Sequence, residues 1–350
     1  MRRINIFFCL LFIPLCFLLQ GCESDQQKSE IVQSAESLEK LKLKLVRMDL
    51  RLRESAQKPE TRTPEYLEKA YYADSLFWSE YLFGGEVANV KPYLGKVLAQ
   101  FCQDSKAREL MDSVAVHFPP DYPFYDRLEP AMRRLKLAFP EEKTPTFYFY
   151  VTGYAPQTGL KEQSYLSDKF CGISLDYFMG RDFPFYPGDL PRYMRRKCDP
   201  DYLPIAVLTH FAEYLIPEPP LKNNPTLLDF SICFGLRQHL LQQLLPEVPD
   251  SIRLNWTAEQ WEFGNLYEKK IYEELVPVLY SRDYLKYEKY IQEKPFTPNV
   301  SQKSPDRMGW FMGWKIVQAY AEKHPEISLK QLIQQSNAKT IFEGAKYRPK

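Results

Sequence analysis

Histidine-based chemistry has few residues to draw on in this chain. The nearest approach to a catalytic or metal-binding pair is His210 and Glu213, which lie three residues apart on a predicted helix, where both could contact one metal ion or proton. The motif H-E-x-x-H does not occur, and Tyr214 stands where the inverted form H-x-x-E-H requires a second histidine. Tyrosine is a poor neutral zinc ligand, so we predict no metal site and interpret His210 as a structural histidine.

Other routes to catalysis need residues from distant parts of the chain. His210 and Glu213 could act in a hydrolase if folding brought Asp176 or Glu262 beside them in a cleft. Cys233 and the histidine six residues after it do not closely share a helix face, and the sequence offers no nearby acid to orient such a dyad. A non-enzymatic role is therefore the main prediction, and a hydrolase is the alternative.

The most distinctive internal stretch is 304–314, which is predicted to open with a serine cap and a proline at the first helical position. It contains two glycines and two tryptophans, each pair four residues apart: Gly309, Gly313, Trp310 and Trp314. On a helix the glycines share one face, which lets another backbone approach closely, and the tryptophans form the neighbouring stripe. Two interpretations are open: tight core packing, and a groove that binds a partner or ligand.

The N-terminus has the composition of a bacterial lipoprotein signal. Arg2 and Arg3 supply a positive start, an apolar run follows over residues 4–19, and Leu-Gln-Gly-Cys ends it at Cys22. The run is shorter than the ~20 residues that a membrane-spanning helix needs. Lipoboxes of this kind imply cleavage after residue 21 and attachment of fatty acyl chains, such as palmitate, to Cys22. We therefore predict a signal peptide over 1–21 and a lipid anchor in the membrane.

Charge and composition narrow the class of protein further. The chain has 46 Lys plus Arg and 45 Asp plus Glu, and removal of Arg2 and Arg3 with the signal leaves 44 against 45. A nearly neutral protein lacks the basic surface that nucleic acid requires, so nucleic acid is excluded as a partner. The 24 Tyr, 23 Phe and 5 Trp are enough for a sizeable aromatic core. No cofactor is predicted.

Four cysteines remain outside the signal and the lipidation site: Cys102, Cys171, Cys198 and Cys233. Their separations fit neither a C-x-x-C redox motif nor a clustered zinc site. An oxidising envelope would permit two disulfides in any of three pairings. Disulfides and free buried thiols both stay open.

The remaining patterns predict an α+β fold that is predominantly α-helical with a small β-sheet. Residues 22–36 are polar and predicted to be a tether, and 37–350 a globular domain. β-branched and aromatic runs at 144–154 and 169–178 predict two strands separated by a polar turn. Helical spacing begins at Leu38 and recurs in eight later segments: 66–83, 90–101, 107–117, 125–139, 200–215, 226–245, 258–280 and 308–324.

The stretch from Pro305 to Val317, Pro-Asp-Arg-Met-Gly-Trp-Phe-Met-Gly-Trp-Lys-Ile-Val, resembles GldB, the gliding-motility lipoprotein family of the Bacteroidetes. Further matching pieces are Ile173–Gly180, Thr257 with Glu259 and Gln260, Leu279–Ser281, Pro295-Phe296 and Lys346–Pro349. The resemblance implies an accessory role in the motility and linked protein-secretion apparatus of the cell envelope. It implies contact with envelope partners, for which the candidate residues are Arg307, Gly309, Trp310, Gly313, Trp314 and Asp176.

The GldB family is in turn distantly similar to predicted zinc peptidases, which implies a zincin-like outline. In this chain Phe211 stands where the general base would be, Tyr214 where the second histidine would be, and Phe234-Gly235 where a Glu-Gly would be. Without those groups a zinc-bound water has no base and the metal is barely held. The resemblance therefore implies a degenerate metallopeptidase scaffold, with His210 and Glu213 as a vestigial site.

Two further expectations concern ligands and location. The Tyr-, Phe- and Pro-rich segment 177–193 could form a concave aromatic groove for a glycan or another small ligand. The acidic start Glu23-Ser24-Asp25 is similar to tags that send some Bacteroidetes lipoproteins to the outer surface. We predict the outer membrane and leave open which face of it.

Overall fold

Helices dominate the computed structural model, which describes residues 30–83, 91–154, 163–188, 190–298, 300–335 and 337–349. The helices of the first half are α1 (Glu30–Glu36), α2 (Met48–Gln57), α3 (Pro64–Tyr71), α4 (Ser75–Phe83), α5 (Lys91–Gln103), α6 (Ser105–His117) and α7 (Phe124–Ala138). Those of the second half are α8 (Leu203–Leu215), α9 (Leu227–Leu244), α10 (Asp250–Arg253), α11 (Ala258–Leu266), α12 (Glu268–Leu275), α13 (Tyr284–Tyr287), α14 (Met308–Lys323), α15 (Leu329–Gln334) and α16 (Ala338–Ala345).

A four-stranded mixed sheet lies among these helices, with strand order β1-β2-β4-β3. The strands are β1 (Leu45–Arg47), β2 (Thr146–Tyr150), β3 (Ser164–Leu166) and β4 (Phe170–Ser174). The first, second and fourth strands run parallel, and β3 pairs antiparallel with β4. The predicted α+β class, mainly helical with a small sheet, is confirmed.

Both faces of the central strand β2 are covered by helices. Side chains alternate along a strand, so Tyr148 and Phe149 point to opposite faces. Phe77 of α4 stacks on Tyr148 with ring centroids 4.3 Å apart, and Phe124 of α7 stacks on Phe149 at 4.0 Å. This sandwich explains why the strand sequence is aromatic almost throughout rather than alternately polar.

The strand predictions at 144–154 and 169–178 are confirmed by β2 and β4, but their pairing is not a simple hairpin. The two strands are parallel, and the short β3 forms the hairpin with β4 through the polar turn 167–169. β3 has only three residues, too few for a period of two to stand out in the sequence.

The helix predicted from Leu38 is wrong before Met48. Residues 38–44 are extended and lead into β1. Side chains of α7 hold this segment: Tyr125 donates from its hydroxyl to the Leu41 carbonyl at 2.6 Å, and Glu129 accepts from the Leu41 N–H at 2.9 Å. The alternation of lysine and leucine over 40–44 is therefore the period of an extended chain, which tertiary contacts select over a helix.

The predicted tether also extends too far. Its last seven residues form α1, which packs on α7 and α9 through Val32 and Ala35, only 2% and 1% exposed. These two apolar residues, three positions apart, give one helix face in a segment whose overall composition is polar. The folded part therefore begins by Glu30.

The second half is organised by α9 and α14, which cross in close contact. α9 begins with a capping box in which Thr226 and Asp229 bond each other's backbone N–H. Helix α14 starts at Met308, which confirms the helix predicted over 308–324, but the predicted cap at Ser304 is wrong because Arg307 directly precedes the helix in the left-handed region, with φ +49°. One cluster of buried residues joins these helices to the sheet and runs from Met48 to Ala345.

Candidate functional site

The carboxyl ends of β2 and β4 are joined by a buried carboxylate, Asp176. It accepts hydrogen bonds from the N–H of Thr152 at 3.1 Å, from the Thr152 hydroxyl at 2.6 Å and from the N–H of Gly153 at 3.0 Å. Tyr154 donates from its hydroxyl to the Asp176 carbonyl at 2.5 Å. Burial raises the pKa of Asp176 to about 6, although these hydrogen bonds act to lower it. These hydrogen bonds link the carboxyl ends of β2 and β4, and we call them the Asp176 clamp.

Gly153 and Tyr154 both adopt positive φ, +70° and +54°. This backbone bend points two consecutive N–H groups toward the side chains of Asp176 and Thr152. Tyr154 is not a glycine, and its positive φ is held because neighbouring residues fix its ring. The Tyr154 ring packs edge-on against Tyr177 and Tyr186, with centroids 5.1 and 5.7 Å away.

These rings bear on the predicted aromatic groove over 177–193. Tyr177 and Tyr186 are 2% and 6% exposed, so their faces are closed inside the fold. Phe183 remains half-buried and, with Met179, borders an open groove of about 720 Å³ along α6. The other lining residues of this α6 groove are Ser105, Arg108, Glu109, Asp112, Ser113, Val116 and His117. Val116 is 83% exposed there.

A second buried polar cluster surrounds Asp306 and Arg307 at the start of α14. Asp306 accepts from the indole N–H of Trp256 at 3.0 Å, from the N–H of Lys294 at 3.1 Å and from the guanidinium of Arg307 at 2.9 Å. Arg307 also donates to the Leu254 carbonyl at 2.6 Å. Burial acts to lower the pKa of Arg307, but the carboxylates of Asp306 and the nearby Glu293 outweigh it and raise that pKa.

Sequence reasoning missed Glu293 and Lys197 in this cluster. Their side chains form an ion pair at 2.7 Å, and Glu293 also lies 3.9 Å from Arg307. Burial acts to raise the pKa of Glu293, while Arg307 and Lys197 lower it overall. Lys197, Glu293 and the pair Asp306-Arg307 come from three separate stretches of the chain, so no local sequence pattern predicts that they meet. The cluster satisfies its own charges and ties these stretches to α14.

The glycines of the 304–314 stretch are used inside the fold. Gly313 lies against the backbone of Ser231, and a Cβ placed on it would overlap the Ser231 carbonyl. Gly235 on α9 faces the Gly313 backbone in the same way, and Gly309 lies against the carbonyl of Tyr290. The spacing therefore permits the close crossing of α9 and α14, which is the core-packing interpretation.

Of the six residues proposed to contact partners, only Trp310 is not buried. Its ring stacks on Phe234 with centroids 4.1 Å apart, and the Arg307 guanidinium lies 5.0 Å from its centroid. Trp314 is 2% exposed and donates from its indole to Gln242 at 3.3 Å. Asp176, Arg307, Gly309, Gly313 and Trp314 thus have little or no surface for a partner to touch.

His210 lines a cleft of about 500 Å³ between α8 and β3, and its predicted partner Glu213 lies beside it on α8. The His210 Nε2 atom is 2.7 Å from the Ser164 carbonyl and 3.0 Å from its hydroxyl, and Nδ1 is 3.7 Å from Glu213. Within the described ranges neither Asp176 nor Glu262 bonds to this pair, so the constellation required for the hydrolase alternative does not assemble. The imidazole instead links α8 to the edge strand.

The positions where a zinc peptidase would hold its base and ligands have other roles here. Phe211 is buried at 2% exposure, Tyr214 is 66% exposed, and Phe234 packs beneath Trp310. In the part of the chain that the structure describes, no group of three or more His, Cys, Asp or Glu side chains could hold a metal ion. Among the described residues this arrangement offers one histidine and one carboxylate but no third ligand.

The profile of the family described as "Gliding motility protein GldB" matches residues 28–349. The chain belongs to the GldB family. The match covers nearly the whole sequence, so the similarity to the GldB family is not limited to the motifs near the C-terminus. Among the curated proteins and the solved structures compared with it, none matches significantly.

Two remaining predictions about this GldB-family protein concern its membrane and its cysteines. The lipidation site Cys22 lies outside the described residues. In the described ranges no helix has both the length and the apolar character to cross a bilayer.

All four cysteines are buried and free, namely Cys102, Cys171, Cys198 and Cys233. Burial raises the pKa of the Cys102, Cys198 and Cys233 thiols to about 11, which keeps them protonated and unreactive at neutral pH.

Proposed function

We propose that this protein is a lipid-anchored accessory of the gliding-motility and linked protein-secretion machinery, held at the outer membrane and acting by binding other envelope proteins. The observation that carries the proposal is the family match over 28–349, whose description names gliding motility. The lipobox at Cys22 supports a lipid anchor, and the acidic residues 23–25 support the outer membrane.

A binding role is favoured over catalysis by the chemistry of the His210 cleft. A zinc-dependent hydrolase needs three protein ligands and a general base. His210 lines the described cleft with its imidazole already engaged by Ser164, and Glu213 lies beside it on α8. We also propose that the chain descends from a metallopeptidase scaffold and keeps a zincin-like outline without the zinc chemistry.

The α6 groove is the surface that we assign to a protein partner. It is open, about 720 Å³ in volume, and combines exposed Val116 with Met179 and half-buried Phe183. Arg108 and Asp112 border these apolar side chains. An apolar centre with a charged rim is the usual composition of a protein-binding surface. The groove also borders the segment that follows β4, next to the Asp176 clamp that fixes its position.

Complementation of a gliding host that lacks its GldB-family gene tests this proposal. We expect Val116→Glu to reduce colony spreading and secretion at unchanged protein level, since it places a charge in an apolar contact. Leu285→Glu is the matched control, because Leu285 is 78% exposed on the distant helix α13. His210→Ala and Glu213→Gln should complement fully. Loss of function in the His210 and Glu213 variants, with Val116→Glu still active, would instead favour the hydrolase.

A further inference from the structure

The amino ends of the three parallel strands carry lysines on one edge of the sheet. Lys44 directly precedes β1, Lys169 directly precedes β4, and Lys143 lies three residues before β2. Their backbones are held side by side: Phe147 donates from its N–H to the Lys44 carbonyl at 2.9 Å, and Thr146 to the Lys169 carbonyl at 3.0 Å. Neighbouring strands lie about 4.8 Å apart, so the three lysines lie close together.

The extended segment before β1 adds two more. Residues 38–44 run along α7, with Leu41 and Leu43 packed against the core while Lys40, Lys42 and Lys44 are exposed. Because side chains alternate along an extended chain, these lysines share the solvent side of the segment. We call Lys40, Lys42, Lys44, Lys143 and Lys169 the amino-edge lysines.

What sets the amino-edge lysines apart is that they cluster at one end of the sheet, since most lysines in the described ranges form no ion pair. All five are exposed, and in the described ranges none is within ion-pair distance of a carboxylate. Other lysines do pair, as Lys197 does with Glu293 and Lys330 with Glu141. The same stretches also contain the acidic side chains Glu39, Glu142 and Asp168, together with Glu141, whose charge is balanced by Lys330. The edge therefore keeps an excess of positive charge in a protein whose total charge is close to zero.

The length of chain before α1 places this edge near the bilayer. Eight Cα–Cα steps separate Cys22 from Glu30, which limits their separation to about 28 Å even when fully extended. Helix α1 packs on α7, and the lysine-bearing segment follows α1 directly and stays on α7. A lipid on Cys22 therefore holds the start of this segment within reach of the headgroups.

The geometry points to an orientation on the membrane: the amino-edge lysines face the bilayer and bind anionic lipid headgroups, while the opposite edge, with Asp176 and the α6 groove, faces away from it. This inference rests on the proposed lipid anchor. Each lysine brought to an anionic surface strengthens association about five-fold. In this orientation the α6 groove stays accessible to a protein partner and is held at a fixed distance from the bilayer.

Lysine footprinting of the full lipidated protein tests the orientation. The protein is reconstituted in phosphatidylcholine vesicles with about one-third phosphatidylglycerol, and in detergent micelles, and then acetylated briefly. We expect the amino-edge lysines to be labelled at least about three-fold less in vesicles, with high salt restoring labelling. Lys286 and Lys339, with side chains 65% and 68% exposed, are the internal controls and should label equally in both.

Equal labelling of all lysines in vesicles and micelles, or protection centred on Lys286 or Lys339, would overturn the orientation. The mass of the N-terminal peptide reports separately whether Cys22 carries acyl chains, so failure of the anchor is distinguished from failure of the orientation. A second variant set, Lys42→Gln with Lys44→Gln against Lys286→Gln with Lys339→Gln, should weaken binding of the Cys22→Ser protein to the anionic vesicles only in the first case. Exposed substitutions of this kind leave the fold intact.

Discussion

Gly235 on α9 and Gly313 on α14 meet backbone to backbone where the two helices cross. A Cβ built on Gly235 would overlap the Gly313 carbonyl, and one built on Gly313 would overlap the Ser231 carbonyl. Helices that carry ordinary side chains at their crossing stay 8–10 Å apart, so the glycines set how closely this pair can pack. The crossing in turn fixes where α14 presents Trp310.

The first prediction tests this crossing. Gly313→Ala inserts a methyl group against backbone that cannot move without separating the helices, so we expect it to lower the free energy of unfolding by about 1–3 kcal/mol. Urea unfolding measures the loss. Gly188→Ala is the control, because a Cβ there meets no atom within 4 Å, and it should be nearly neutral. Equal effects of the two substitutions would contradict the packing account.

Asp176 leads to a prediction about pH. Burial raises its pKa to about 6, above the ~4 of an unfolded aspartate. Between these values the folded protein binds the proton more tightly than the unfolded chain does, so the contribution of Asp176 to stability is largest below pH 4 and is lost as pH rises through 6. Asp176→Asn removes this dependence. The advantage of the wild type over the variant in free energy of unfolding should therefore shrink by about 2–3 kcal/mol from pH 4 to pH 7.

Urea unfolding of both proteins at several pH values measures this difference. Asp182→Asn, at an exposed aspartate close by in the sequence, is the control substitution measured in parallel. A wild-type advantage that stays constant, or that grows with pH, would show that Asp176 does not carry a raised pKa.

Arg307 leads to a prediction about charge balance. Arg307→Met leaves the buried Asp306 without its cation, and removing one partner of a buried ion pair costs about 3–5 kcal/mol in free energy of unfolding. Adding Asp306→Asn to the variant should restore part of that loss, because an amide keeps acceptor capacity without the charge. Arg192→Met, on an exposed arginine, should have little effect. A double variant less stable than the single one would contradict this reasoning.

The fold was predictable where local patterns carry it. The long helices α7, α9 and α14 follow apolar spacing, and the aromatic run of β2 predicts a buried strand without further information. The failures lie where distant contacts decide. Leu41 is extended because Tyr125 and Glu129 of α7 bond its backbone, and α1 is a helix because Val32 and Ala35 find a partner surface.

The candidate site was less predictable than the fold. The Gly and Trp spacing at 309–314 indicated either packing or a partner surface, and only the position of α9 shows that Gly313 is used for packing. The α6 groove combines Val116 with Phe183, two residues far apart in sequence, so no spacing points to it. The Asp306 cluster likewise gathers charges from stretches that are adjacent only after folding.

We propose that this GldB-family protein acts by binding an envelope protein at the α6 groove, and site-specific photocrosslinking in the native membrane can detect that contact. A photoreactive amino acid is placed at Val116 and, as control, at Leu285, and crosslinked proteins are identified by mass spectrometry. We expect the probe at Val116 to crosslink to a motility or secretion component. Phe183→Asp should abolish this crosslinked product, and the probe at Leu285 should not form it. The same products from both positions, or no specific product at Val116 while the host still glides, would contradict it.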